Sequence, residues 1–293
     1  LQPRQQMQWR IELPSDLAAS YDVLHLAVTD PTGHELWTWS VPRDAPATKH
    51  PSATTITSRG PAREGQTKVE SGPYTLMFDN RSGELREIRK DEQVYALANG
   101  PRLLAYSRKE RRFESVAANG KLLELKVAPP NTQSEVLVSA TYDGPLQKIT
   151  WSGSGDALTL SYELAYDGTV DIYGIRFDVP ENTIKRKRWV GRGPYRVWQN
   201  RLKGGVFDLH ETPYNDPIPG ETHAYPEFKG YFGEWRWLEL ATSSGKLVVE
   251  NLSDVPYFGL YGPQGGVNPV LELPDVGLAF LTVIPAIGRK FDE

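Results

Sequence analysis

The sequence predicts an all-β chain folded as a layered sandwich, and three observations carry that prediction. Short runs alternate apolar and polar residues with period two along most of the 293 residues. Glycine and proline number 26 and 23, a density that suits short strands joined by turns and breaks long helices. No stretch of about 15 residues carries a 3.6-residue apolar period. A (β/α)₈ barrel needs eight helices alternating with strands over about 250 residues, so that architecture is excluded.

Taken in order, the first zone runs from Trp9 to Val41. Trp9-Arg10-Ile11-Glu12-Leu13 and Val23-Leu24-His25-Leu26-Ala27-Val28 alternate, Asp30-Pro31-Thr32-Gly33 reads as a turn, and Leu36-Trp37-Thr38-Trp39 resumes the alternation. Three or four strands in about 40 residues make roughly half of an immunoglobulin-like sandwich. Such a piece exposes its inner face, so it either pairs with sequence upstream or packs on the downstream chain. The opening Leu1-Gln2-Pro3 reads as a cut inside something longer. From Pro42 to Gly65 the composition turns to Pro, Ser, Thr and Ala with no apolar period, which predicts a linker. The remainder is strand after strand: Tyr74 to Asp79, Leu122 to Val127, Glu135 to Tyr142, Leu158 to Leu164, Val170 to Phe177, Leu247 to Glu250 and Leu278 to Ile284. The expected domains are therefore 1–42, a linker at 43–66, and 67–293.

Charge and composition exclude several functions. With 33 basic against 37 acidic side chains the net charge is -4, which argues against a nucleic-acid partner. No apolar run approaches the roughly 20 residues of a membrane span. The lack of cysteine removes disulfides, thiol catalysis and zinc-thiolate sites. It is compatible with a periplasmic or extracellular location without requiring one. The Asp-x-Asx-x-Asx-Gly, His-Glu-x-x-His and Gly-x-x-x-x-Gly-Lys patterns are absent, so no metal and no cofactor is expected.

Candidate chemistry crowds between Lys185 and Leu240. Four of the eight tryptophans lie there, Trp189, Trp198, Trp235 and Trp237, with His210 and His223. Aromatic faces beside Arg, Asn and Glu are what a sugar site requires, since rings stack on the C–H face of a pyranose while polar groups bind its hydroxyls. Tryptophans in a sandwich also serve as core, and Trp237, alternating with Leu238 and Leu240, reads as core. Trp198, between polar residues in a Gly-Pro loop, reads as a surface candidate. The candidate sugar-binding residues are Tyr195, Arg196, Trp198, Asn200, Arg201, His223, Glu227 and Trp235. A retaining glycosidase needs two carboxyls about 5–5.5 Å apart; Glu211, Glu221, Glu227 and Glu234 are present, and no spacing brings two together. His210 or His223 with a glutamate is the alternative acid–base pair, for sugar-ring opening. Lys185-Arg186-Lys187-Arg188 reads as a solvated guard on an edge strand.

The run Gly191-Arg192-Gly193-Pro194 through Asn200-Arg201 resembles the C-terminal, small-chain domain of glycoside hydrolase family 2 β-galactosidases, whose pattern is Gly-x-Gly-Pro and then Trp-Glu-Asn-Tyr-x-Asp-Arg. Thr212-Pro213-Tyr214 and Arg236-Trp237-Leu238-Glu239-Leu240 resemble the family's next segments. Leu26 to Trp37 resembles the last strands of the preceding immunoglobulin-like domain. The resemblance implies a galactose-mutarotase-like β-supersandwich after a partial immunoglobulin-like sandwich. It also implies an accessory role: walling the cleft of a parent glycosidase whose catalytic glutamates sit in a barrel domain that this chain lacks. The implied partners are a galactoside-like or plant-polysaccharide-derived oligosaccharide and the parent's remaining domains. A free-standing carbohydrate-binding module and a mutarotase-type isomerase are the alternatives. The chain departs from the family pattern at Arg196 and Asn200, where Glu and Asp are usual. Asp216 to Thr222 stands where Pro-Gln-Glu-Asn-Gly is usual, and Gly265 to Pro269 lacks the family's late tryptophan.

Overall fold

A computed structural model describes residues 5–8, 10–12, 21–42, 54–61, 64–91, 93–95, 97–110, 112–129, 133–134, 136–154, 157–179, 183–213, 231–253, 255–261 and 277–286. No α-helix occurs among them. Strands β1 (Val23–Thr29) and β2 (Glu35–Pro42) form a hairpin sheet of their own. The chain then makes a meander of β3 (Thr54–Pro61), β4 (Gln66–Ser71), β5 (Tyr74–Asp79) and β6 (Leu85–Lys90), with a short β7 (Gln93–Val94) on its margin. Next come β8 (Ala98–Lys109) and β9 (Arg112–Ser115). Strands β10 (Leu122–Val127), β12 (Val136–Tyr142), β13 (Leu146–Ser154) and β14 (Ala157–Leu164) form a separate four-stranded antiparallel sheet, while the two-residue β11 (Gln133–Ser134) pairs with β3. Finally β15 (Ile172–Asp178), β16 (Ile184–Val197), β17 (Val206–Pro213), β18 (Tyr231–Thr242), β19 (Gly245–Glu250), β20 (Tyr257–Tyr261) and β21 (Gly277–Val283) complete a fifteen-stranded sheet that ends in β17.

Alternation along these strands is what builds the layers. Inward residues of β12 and β13, among them Leu137, Ile149 and Trp151, share one buried cluster with Val69, Leu76, Phe78 and Phe177 of the large sheet. Trp151 meets Phe78 and Phe177 edge-on at 6.5 and 6.4 Å, so the four-stranded sheet lies over the β5 and β15 part of the large one. That arrangement is the predicted all-β sandwich. A smaller cluster gathers Leu104, Ile172, Val197, Trp198, Tyr231, Leu281 and Ile284 nearer the β16–β18 end.

One charged network pins β5, β6, β8 and β15. Glu84, with a side chain only 9% exposed, accepts two hydrogen bonds of 2.9 Å from Arg102 and lies 3.3 Å from Arg86. Arg86 also binds Asp79 and Asn99, and Asn99 donates to Asp178, which pairs with Arg176. Burial pushes the Asp79 carboxyl up, but the Ser82 and Arg81 backbone N–H groups and Arg86 outweigh it and hold it below the ordinary aspartate value. Bidentate geometry and balanced charge make this an anchor for buried ions.

Two expectations need correction here. Residues 43–66 are not simply a linker: Thr54–Pro61 forms β3, antiparallel to β4, favoured by Thr54, Thr55, Ile56 and Thr57, whose β-branched side chains suit a strand. The expected strand at Trp9 to Leu13 is not formed over residues 10–12, while Trp9 and residues 13–20 lie outside the described residues. The turn at Asp30 stands as read. Its carboxylate accepts from the Thr32 hydroxyl at 2.6 Å and from the His34 and Thr32 backbone N–H groups at 2.9 and 2.8 Å, which hold it below the ordinary aspartate value.

The first hairpin differs from the rest. Its register pairs Leu24 with Val41, Leu26 with Trp39 and Val28 with Trp37, so these six side chains share one face. Five of the six are among the exposed large apolar residues, with Trp37 at 62%, Val41 at 49% and Trp39 at 48%. The hairpin sits beside β17, tied by His25 Nε2 to Asp208 Oδ1 at 3.1 Å.

Candidate functional site

The site region is built on β16, a strand flanked by β17 on one side and β18 on the other. The Lys185 to Arg188 run is therefore interior, which corrects the edge-guard reading. Arg186 and Arg188 point to carboxylates on the neighbours, Arg186 to Glu211 at 2.7 Å and Arg188 to Glu211 at 3.1 Å, with Glu239 within 4 Å of both. Lys187, on the opposite face, is 2% exposed; its ammonium donates to the Pro213 carbonyl at 3.0 Å and lies 5.5 Å over the Phe232 ring. Cross-strand charge pairing explains why a basic run survives inside a sheet.

The Gly-x-Gly-Pro motif has a packing explanation at each glycine. A Cβ on Gly191 would stand 2.9 Å from the Trp235 Cα and 3.1 Å from the Gly233 carbonyl oxygen, so β18 can approach only a glycine. There β18 bulges: four of its steps, Gly233 to Trp237, face two steps of β16, Val190 to Arg192. The bulge holds Glu234 at φ 50, in the left-handed region that non-glycine residues seldom occupy. A Cβ on Gly193 would meet His210 and the Trp189 indole at 2.7 and 2.8 Å. Between the glycines, Arg192 binds Glu234 at 2.6 Å and the Gly205 carbonyl at 2.9 Å, clamping the bulge to the start of β17.

Beyond the bulge the relation reverses. From Arg192 to Val197, β16 advances five residues while β18 advances two, so residues 193–196 leave the β16–β18 ladder, with Gly193 still paired to Val206 of β17. Tyr195 rides on it, 55% exposed. Trp198 then turns inward: it is 1% exposed, edge-on to Tyr231 at 5.6 Å, and its backbone closes a tight turn with Arg201. Burial thus corrects the surface reading of Trp198. Trp235 is likewise 3% exposed, stacked on Phe280 at 5.5 Å and edge-on to Phe258, so it presents no face to a ligand. Trp237, read as core, is half-buried with the Arg188 guanidinium 5.9 Å over its ring.

The other sequence candidates divide. Arg196 lies over the Phe232 ring at 5.7 Å, opposite in charge to the glutamate usual in the resembling family. Asn200 and Arg201 are exposed at the turn after Trp198. His223, Glu227 and Glu221 lie outside the described residues. His210 stacks on Trp189 at 5.0 Å and has Nε2 3.0 Å from the Val206 carbonyl, so Nε2 carries the proton and donates it. That is fold-holding, not base chemistry at Nε2.

The glutamates of this region are bound to arginines: Glu239 shares Arg186 and Arg188 with Glu211. Glu211 is held at Arg186 and Arg188, and Glu234 at Arg192. Glu234 also raises the pKa of the Tyr257 phenol, after the larger effect of burial. Among the described residues no three His, Asp or Glu side chains converge to hold a metal ion. Sequence reasoning overlooks Trp37 and Trp39 as exposed rings; their spacing of two along one strand is the available signal. Comparison with models of protein families and with curated proteins found no match to this chain.

Proposed function

We propose that this chain is the accessory C-terminal domain of a family 2-like glycoside hydrolase. It shapes a carbohydrate cleft and offers sugar contacts, while bond cleavage belongs to a barrel domain elsewhere in the parent. The observation that supports this reading is the end of β16 and the turn after it, where Tyr195, Asn200 and Arg201 are exposed, while the Glu211 and Glu234 carboxylates are bound to arginines. Stacking and hydrogen-bonding groups beside carboxylates that arginines hold suit contact, not turnover. The finer fold assignment, a galactose-mutarotase-like supersandwich after a partial immunoglobulin-like one, belongs to the same proposal.

The test has two arms. Incubated with aryl β-galactosides and β-xylosides, the chain alone is expected to release no phenol; hydrolysis that Glu234→Gln or Glu211→Gln abolishes would overturn the reading. In the intact parent, Tyr195→Ala is expected to raise KM for the glycoside while leaving kcat near its original value. A free-standing binding module is favoured by the same exposed Tyr195. Calorimetric affinity for galactosides, xylosides or pectic oligomers, in a protein with no catalytic neighbour, would establish that alternative instead.

A further inference from the structure

We infer that the turn after β16 selects an acidic oligosaccharide, one whose hexuronate carboxylates pair with Arg201 and Lys203. The inference rests on the sugar-contact reading of Tyr195, Asn200 and Arg201 and adds the chemical class of the sugar. Two pairs of residues close this stretch on itself. Gly193 pairs with Val206 at its base, and Trp198 pairs with Arg201, five residues further along each arm. The Trp198 and Arg201 backbones exchange hydrogen bonds of 3.2 and 2.8 Å, so main chain holds the turn and the Arg201 guanidinium is not needed for it.

Charge sets the stretch apart. The protein carries a net charge of -4, yet Gly193 to Phe207 contains Arg196, Arg201 and Lys203 and no aspartate or glutamate. Arg196 is half-buried with its guanidinium 5.7 Å over the Phe232 ring, which leaves the outward charge to Arg201 and Lys203. Both are exposed, and neither forms an ion pair among the described residues. Along β16, by contrast, Arg186, Arg188 and Arg192 each meet a carboxylate from a neighbouring strand. The carboxylates that border the stretch are engaged already, Glu234 by Arg192 at 2.6 Å and Asp208 by His25 at 3.1 Å. Lys203 follows Arg201 by two residues, so their Cα atoms lie within about 7 Å of each other. An acidic sugar fits that combination. Exposed Tyr195 offers a ring to the C–H face of a pyranose, and Gln199 and Asn200 offer amides to its hydroxyls. A guanidinium forks onto a carboxylate through two parallel N–H bonds, and an ammonium adds a point charge. A neutral sugar leaves both charges unused, and an acidic protein needs about 800 Å² of complementary surface, more than one turn presents.

Calorimetry on the chain compares a trimer of galacturonic acid with its methyl ester, which keeps the ring shape and removes the charge. At low salt the acid is expected to bind at least about fivefold tighter, and about 0.5 M salt is expected to erase most of that preference. In R201Q/K203Q the ratio of the two affinities should fall to about one. Near-UV dichroism of the buried tryptophans verifies that this variant remains folded. Equal affinity for acid and ester, or binding of neither, overturns the inference. So does a preference that R201Q/K203Q retains, which would place the carboxylates elsewhere. Tighter binding to vesicles of anionic phospholipid, lost in the same variant, would give the cations to a membrane surface and also overturns it. Equal affinities that Tyr195→Ala lowers together defeat only this inference. A preference that depends on Arg201 and Lys203, in a protein whose intact parent cleaves no glycoside, defeats only the functional reading.

Discussion

Two tryptophan-bearing hairpins of this molecule obey the same rule and end differently. In β1–β2, Trp37 and Trp39 are 62% and 48% exposed; in β16 and its turn, Trp189 and Trp198 are 0% and 1% exposed. Both stretches alternate with period two, but Trp37 and Trp39 share one face of a strand whereas Trp189 and Trp198 lie in two different buried clusters. The difference is the second layer. Trp189 has Phe232 edge-on at 4.7 Å and His210 at 5.0 Å, whereas Trp37 stays 62% exposed. Alternation says which residues share a face. Whether that face is covered depends on chain that is remote in sequence or absent from it.

The largest effect expected from this contrast is at Trp189. Trp189→Ala removes a fully buried indole from an aromatic cluster and should lower unfolding stability by about 3–5 kcal/mol, read as a fall in the urea midpoint. Trp37→Ala should change the same midpoint by no more than about 0.5 kcal/mol. Equal losses at the two sites would mean that the hairpin is as well packed as the sheet, and the comparison would fail.

Next comes the motif. Gly191→Ala sets a methyl group 2.9 Å from the Trp235 Cα, backbone that cannot move aside as a flexible side chain would. An overpacking loss of about 1–3 kcal/mol is expected, again from the urea midpoint. A comparison with Gly33→Ala separates sterics from turn conformation: Gly33 has open space around it, and its φ of 86 alone provides the penalty. A neutral Gly191→Ala would show that the β18 bulge adapts freely.

How much of the fold and the site is legible in the sequence depends on the physics of each feature. The strand identities in the larger region are readable because period-two alternation is local, and β10, β12, β14, β15, β19 and β21 form where that pattern lies. Strand β3 escapes notice because Thr-rich sequence reads as linker until a partner strand supplies its hydrogen bonds. Trp198 misleads because polar neighbours in sequence are not neighbours in space; the turn to Arg201 folds it under the tip. The basic run misleads for a related reason, since Glu211 and Glu239, which neutralise it, come from two other strands. Tyr195 stands out because β16 carries extra residues there, a register property that no single segment encodes.

A third test sets the charged anchor of the sandwich against acid. Asp79 has a folded-state pKa below its unfolded value. Its contribution is therefore fully present above the unfolded pKa, near 4, and is lost as pH falls through the lower folded value. Urea midpoints measured between neutral pH and about pH 3 should fall more steeply for the wild type than for Asp79→Asn. Parallel curves would remove Asp79 from the account of acid stability.

The smallest expected effect is at the site itself. Glu234 is 56% exposed and Arg192 28%, so their ion pair is screened and Glu234→Gln should cost at most about 1 kcal/mol despite its short distance. The backbone is a separate matter. Glu234 adopts φ 50, and Glu234→Gly relieves that conformation while also losing the ion pair. If the bulge is strained, Glu234→Gly should be at least as stable as Glu234→Gln, since both lack the charge and only the glycine relaxes the backbone. A glycine variant clearly less stable than the glutamine one would instead mean that the side chain's packing on the sheet, and not the strained turn, is what keeps the β16 tip in place.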